Sequence, residues 1–213
     1  LSISLESVEQ ETDFILESDI GRSVSSSLGY DQTERNRIGL EYVLERDSGL
    51  FDDLQILFNV QDTDASQRTL QNRTSFSFVN PRNPRSFGGA AAVRDTMFEF
   101  DQETTSLNLN LRKSLSSGSL NHNFAYGFNF DETETERPRD RFDKEISTNT
   151  VTRKISAFPM APAEVFPNKS FPDTVTKRWG IYLQDEIQIA DSALTIIPGV
   201  RYDRYDMEAN VDA

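Results

Sequence analysis

Cysteine is absent from this chain, which excludes a disulfide framework and any thiolate metal site. Histidine is almost absent. The single one, His122, cannot build a Ser/His/Asp or Cys/His arrangement with residues spaced around it. Basic residues are outnumbered: 22 Lys+Arg against 35 Asp+Glu give a formal net charge of -13. That balance excludes nucleic acid as a partner, because phosphates need a basic footprint, and it opposes charge-driven binding to an anionic membrane surface. No stretch approaches the roughly 20 apolar residues of a transmembrane helix. Helical membrane proteins are thereby excluded, but barrels are not, since a barrel strand gives half its residues to a polar interior. The mean hydropathy of -0.56 fits a barrel or a soluble protein. A signal peptide is also missing: Leu1 opens inside an alternating run without a charged segment and an apolar core behind it. The expectation is an internal or processed piece of a longer chain.

What is present is period-two patterning. In residues 179 to 205, WGIYLQDEIQIADSALTIIPGVRYDRY, two alternating runs flank a polar turn. Trp179, Ile181, Leu183, Ile187 and Ile189 share one face, opposite Gly180, Tyr182, Gln184 and Glu186. Leu194, Ile196, Val200 and Tyr202 share a face in the second run, opposite Thr195, Arg201 and Asp203. Alternation of this kind means β-strand. Ordinary strands average about five or six residues, whereas these runs match the roughly nine to eleven of a tilted strand crossing a bilayer.

The same pattern recurs along the chain. Leu1, Ile3 and Leu5 align in residues 1 to 8, and Ile38, Leu40, Tyr42 and Leu44 in 35 to 46. Leu54, Ile56, Phe58 and Val60 align in 54 to 61, and Leu107, Leu109 and Leu111 in 104 to 113. Leu120, Phe124, Tyr126, Phe128 and Phe130 align in 120 to 130. Short connections at 46 to 53, 113 to 119 and 190 to 193 alternate with long polar ones at 9 to 34, 62 to 96 and 131 to 176. Compact soluble domains rarely carry loops above about 12 to 15 residues; outer-membrane barrels pair short periplasmic turns with long extracellular loops. The expected architecture is all-β: an antiparallel transmembrane β-barrel segment of about seven long strands, an incomplete barrel. On this topology Phe98, Phe100, Trp179, Phe128, Phe130 and Tyr202 gather at the extracellular rim as an aromatic girdle. Seven of the eight prolines fall in two long loops, where no ladder donor is needed. Pro198 is the exception and is expected at a bulge or near a strand's beginning.

Candidate chemistry is sparse. His122 lies on the lipid-facing side of its run, just after a short turn, and reads as an interfacial residue. SFGGAA at 86 to 91 lacks the strand-to-helix context of a phosphate loop. In the pairs Asp185/Glu186 and Asp203/Arg204, strand neighbours point to opposite faces, so neither converges on one substrate atom. Asp185 interrupts an apolar face; either it marks where the strand leaves the hydrocarbon, or a bulge turns it inward. The segment DETETERPRDRFDKE at 131 to 145 is expected as a solvated loop or, more sharply, a ligand-binding loop. No catalytic residue, no metal site and no cofactor-binding residue is assigned, and an enzyme is not expected.

RWGIYLQDEIQI followed by LTIIPGVRYDRY resembles the barrel of TonB-dependent outer-membrane receptors, in which Y-x-Q-D, a turn and L-x-x-x-P-G-x-R-Y-D recur. The matching positions are Tyr182, Gln184, Asp185, Leu194, Pro198, Gly199, Arg201, Tyr202 and Asp203. FPDTVTKRWG and ERNRIGLEY look most like the haem/haemoglobin receptor branch. The resemblance implies that residues 1–213 are part of the receptor β-barrel domain, without the plug domain. It also implies a Gram-negative outer-membrane location, coupling to the TonB complex through the plug, and outer-membrane lipid around the wall. The cargo it implies is an iron-containing ligand met at the extracellular loops: haem, a haem protein or a siderophore. No haem-ligating residue carries over. Two other readings stay open on the sequence alone, a passive porin-like channel and a soluble all-β binding module.

Overall fold

The computed structural model describes residues 1–47, 49–79, 86–155, 162–169, 171–189 and 194–210. Among them are fifteen strands: β1 (Ser2–Ile15), β2 (Val24–Glu45), β3 (Asp53–Arg73), β4 (Phe76–Val79), β5 (Ser86–Gly89), β6 (Ala92–Ser117), β7 (Leu120–Glu136), β8 (Pro138–Glu145), β9 (Val151–Thr152), β10 (Lys154–Ile155), β11 (Glu164–Val165), β12 (Asn168–Lys169), β13 (Asp173–Ile189), β14 (Thr195–Ile196) and β15 (Gly199–Asn210). The long strands form one antiparallel sheet in the order β1-β2-β3-β6-β7-β13, with β14 and β15 both pairing β13 at the far edge. This is the expected all-β barrel segment.

Among the described residues nothing forms a second layer over the apolar face of the sheet. Val24, Ala92, Ile155 and Phe166 are the buried apolar residues among those described, and none lies in the alternating runs. The alternating apolar residues are exposed instead: Ile3 is 69% accessible, Ile181 50% and Val200 67%. A soluble domain does not leave a face of this extent to water. The exposed face is therefore the lipid face, and the soluble-module reading fails.

Register makes the lipid belt visible. Leu44, Leu54, Leu111, Tyr126, Leu183 and Val200 line up across six adjacent strands. One row nearer the long-loop side, Tyr42, Ile56, Leu109, Phe128, Ile181 and Tyr202 align. The belt runs obliquely. Leu5, Ile38 and Val60 are still apolar in the row where Glu132, Lys177 and Asp206 are already charged. At the opposite margin Phe124, Ile187 and Ile196 extend the belt on β7, β13 and β14 beyond the level of Leu44 and Leu54. An apolar band that slants across hydrogen-bonded rows is the mark of strands tilted to the membrane normal, as barrel closure requires. Next beyond the belt, Asp62, Glu103, Glu134 and Glu208 occupy one outer-face row, so the hydrocarbon ends before it.

The strands do not end there. β2 has 22 residues, β3 21 and β6 26, about twice what a bilayer crossing needs. Most of the expected loops at 9 to 34, 62 to 96 and 131 to 145 are therefore strand, forming a wall that continues outward past the lipid. β7 breaks only at Arg137 and resumes as β8 in the same register along β6. Pro138 begins β8, a place where its missing donor is tolerated. The segment 131 to 145 is thus not a loop, and SFGG is not one either: β5 pairs with β4 as a short hairpin. The expected turn at 113 to 119 shrinks to Gly118 and Ser119, with Gly118 at φ +62°, a conformation that suits glycine. The ADSA turn at 190–193 lies outside the described residues; on either side of it, the Ile189 amide donates to the Leu194 carbonyl at 3.5 Å.

The turn at 46 to 52 is tied to its neighbour. Asp52 accepts from the Lys113 Nζ at 2.6 Å and the Ser114 amide at 2.8 Å. The Lys113 hydrogen bond first, then that of Ser114, holds the Asp52 carboxyl below its ordinary value of 3.8. A depressed folded value means the tie is complete above the ordinary carboxylate range and is lost as the pH falls through the lower folded value. Acidification should therefore lower the exchange protection factor of the Ser114 amide, and Asp52→Asn should abolish that pH dependence. A second expectation concerns the belt. Leu183→Arg at its centre should cost about 2–4 kcal/mol, and Leu5→Arg at its margin about 0–1 kcal/mol, by urea unfolding of the full-length receptor in lipid vesicles. Equal costs would contradict the placement.

Candidate functional site on the lumenal face

The face opposite the belt is polar, and its side chains are linked across the sheet. Tyr182 on β13 donates to Asn110 Oδ1 on β6 at 2.9 Å. Asn110 Nδ2 donates to Gln55 Oε1 on β3 at 3.2 Å, and Gln55 Nε2 to Glu41 Oε1 on β2 at 2.7 Å. Ser2 on β1 donates to the other Glu41 oxygen at 3.2 Å. To reach Asn110, Tyr182 must cross β7, and it does so over Gly127. A Cβ there would stand 2.8 Å from Tyr182 Cε1 and would clash with the Leu109 carbonyl oxygen. Beside this relay Arg201 donates to both oxygens of Asp203 at 2.7 Å and to Asn129 Oδ1 at 3.0 Å. Gly180 leaves the space that Asn129 and Asp203 occupy. This lining offers amides, hydroxyls and paired charges to a hydrated lumen.

Farther out, the same face changes character. At the β7–β8 break and along β8 the inward positions are Arg137, Arg139, Arg141 and Asp143, and on β6 they are Phe100, Phe98, Thr96 and Arg94. The Arg137 guanidinium lies 5.2 Å from the Phe100 ring centre, and that of Arg139 5.4 Å from Phe98. Arg141 Nε donates to Thr96 Oγ1 at 3.2 Å. Arg94 forks onto Asp143 with two bonds of 2.7 Å. The segment after β11 folds onto this ladder: Phe166, 3% exposed, is 5.0 Å from the Arg139 guanidinium and 5.3 Å from that of Arg141. Glu164 accepts from Arg139 at 2.9 Å.

These positions correct one expectation. Phe98 and Phe100 are not in the lipid-facing girdle. The β3–β6 register is unbroken from Leu107 back to Phe98, so even-numbered β6 positions face the lumen, and both rings serve arginines beyond the bilayer. Trp179, Phe128, Phe130 and Tyr202 do lie on the outer face, with Trp179 and Tyr202 rings 5.6 Å apart. The dense mix of acids and bases at 131 to 145 reads as a loop and hides the arginine ladder; its one sequence signal is the period-two run Arg137, Arg139, Arg141.

His122 lies on the outer face near the short turns, as its alternation implies. Asp185 joins it there: its Oδ2 is 2.7 Å from His122 Nδ1, and the β7–β13 register runs past it without a shift. No bulge turns Asp185 inward. Pro198 lies at the gap between β14 and β15 in constant register with β13, near the beginning of the long strand, and its carbonyl accepts from the Asp185 amide at 3.0 Å. Glu186 and Arg204 face away from Asp185 and Asp203, as strand neighbours must. Among the described residues no group of three His, Cys, Asp or Glu is placed to hold a metal ion.

A slanting apolar belt outside and a polar cross-strand lining inside define the wall of an outer-membrane β-barrel. The family model described as TonB dependent receptor-like, beta-barrel, matches residues 10–212, and the chain belongs to that family. Its members are outer-membrane transporters of Gram-negative bacteria energised through TonB, not enzymes. A search of curated proteins finds no match.

The lining yields a prediction. Tyr182→Phe should lose about 1 kcal/mol of stability, and Gly127→Ala about 1–3 kcal/mol by overpacking, in denaturant titrations of the full receptor. Because both act on the ring over β7, the double variant should cost less than the sum of the two.

Proposed function

We propose that the receptor to which this wall belongs imports an iron-containing ligand, haem or the haem of haemoglobin. A plug domain carried on the same receptor would make the contact with TonB. Family membership favours energised uptake over passive diffusion through a porin-like channel. The observation that carries the haem reading is the lumenal pairing of Arg137, Arg139 and Arg141 with Phe100, Phe98 and Phe166 beyond the bilayer. Haem is a flat apolar ring bearing two carboxylates, and guanidinium forks beside aromatic faces complement both parts. The likeness of ERNRIGLEY and FPDTVTKRWG to the haem branch points the same way. His122 and Asp185 take no part, because they face lipid near the short turns.

The test is growth. A strain lacking other haem receptors and expressing the full-length receptor should grow on haem or haemoglobin as sole iron source, and deletion of TonB should abolish that growth. TonB-dependent growth on a siderophore but on neither haem source would reject the haem reading and keep the family function.

A further inference from the structure

We infer that Arg73, Arg94 and Arg141 form a binding subsite for the carboxylate groups of an anionic ligand, on the lumenal face of the wall beyond the bilayer. The assignment deepens the import reading above and rests on it only in requiring that ligands reach this face. Three strands bring the arginines together. Arg73 on β3 is paired with Ala92, two positions from Arg94 on β6, and Arg141 on β8 is paired with Thr96, two positions from Arg94 on the other side. All three therefore point to one side of the sheet, with Arg94 one diagonal from each of the other two.

Their neutralisation is incomplete. Asp143 fills the fork of Arg94, and Glu164 pairs with Arg139. Arg141 spends its Nε on Thr96, and Arg73 gives NH1 to Gln71 Oε1 at 3.1 Å. Neither is ion-paired with a carboxylate among the described residues. Arg139 Nε is buried without a hydrogen-bond partner among them. On this face the guanidiniums of Arg73, Arg94, Arg137, Arg139 and Arg141 outnumber the carboxylates of Asp143, Glu145 and Glu164, in a chain whose formal charge is -13. Burial, and next the charge of Arg94, lowers the proton affinity of both Arg73 and Arg141. A guanidinium stays charged in proteins, so what these cations lack is an anion.

The chemistry selects the occupant. Carboxylates match the guanidinium fork bidentately, and Phe166 and Phe98 beside the forks suit a ligand with an apolar body. Lipid headgroups are excluded by side, since the arginines face the lumen while the belt faces outward. Two sources of carboxylate remain, the propionates of haem and a free polycarboxylate such as citrate.

The experiment titrates the purified full-length receptor in detergent with haem, haem dimethyl ester and citrate, and compares it with an Arg73→Gln/Arg141→Gln double variant. Arg68→Gln serves as a control, because Arg68 pairs with Asp95 on the outer face. Retained heat-modifiable migration on gels verifies that each variant is folded. The expected result is that haem binds at least tenfold more tightly than its ester, that the double variant loses about tenfold or more of that affinity, and that the control loses none. Citrate binding that is lost in the double variant, with no binding of haem, would support the subsite and reject haem as cargo. Haem and ester binding equally, with the double variant unaffected, would overturn the subsite and leave haem import standing. Failure of both haem and citrate to bind the wild-type receptor would also overturn it.

Discussion

Hydrocarbon offers a backbone amide no partner, so every strand in the lipid belt must be satisfied by its neighbours. The unbroken registers of β2, β3, β6, β7 and β13 across the belt follow from that constraint. They also fix which side of the sheet each residue faces, because a slip of one residue would exchange the lipid and lumenal sets on an entire strand. The one register shift in the main ladders, between Val24 and Ser26, lies far beyond the belt. Pro198 shows how narrowly the rule can be bent. It contributes no donor, yet its carbonyl still receives the Asp185 amide and the register on either side is unchanged. The two sheet edges, β1 and β15, have no second partner among the described residues. In a bilayer such edges must be met by further strands, and so the wall has meaning only as part of a closed barrel.

The same constraint explains what could be read from the sequence. Alternation of apolar and polar residues reports contact with lipid on one face, not the presence of a strand. Within the belt the runs around Leu40, Phe58, Leu109, Phe128 and Ile181 were therefore legible, and with them the strand number and the faces. Beyond the belt both faces meet water, so the contrast between them vanishes although the ladder continues. QDTDASQRTLQ in β3 and DETETE in β7 are rich in residues that sequence patterns assign to loops, yet they are fully paired.

The candidate site was lost for that reason. In a segment that reads as a loop, the spacing of Arg137, Arg139 and Arg141 carries no orientation. Phe98 and Phe100 lie at the level of the rim, but parity and not level decides which face they occupy. Parity outward from Leu107 places both in the lumen. The cover supplied by Glu164 and Phe166 was not legible at all, since it depends on how the chain between β9 and β13 folds back onto β8, a nonlocal contact that no local pattern encodes.

The lumenal face divides into two zones with different physical tasks. At the level of the belt, the relay from Tyr182 to Glu41 ties the polar side chains of four strands to one another, and Arg201 is neutralised by Asp203. A self-satisfied lining holds its shape and gives a passing solute no strong site at which to stall. Beyond the bilayer the accounting is left open: guanidiniums outnumber carboxylates, and part of their cover is a single phenylalanine and a single glutamate at β11 and just after it. Capture needs affinity and passage needs its absence. Placing uncompensated charge where the strands overrun the lipid, and compensated charge where they cross it, separates the two requirements along one continuous set of strands.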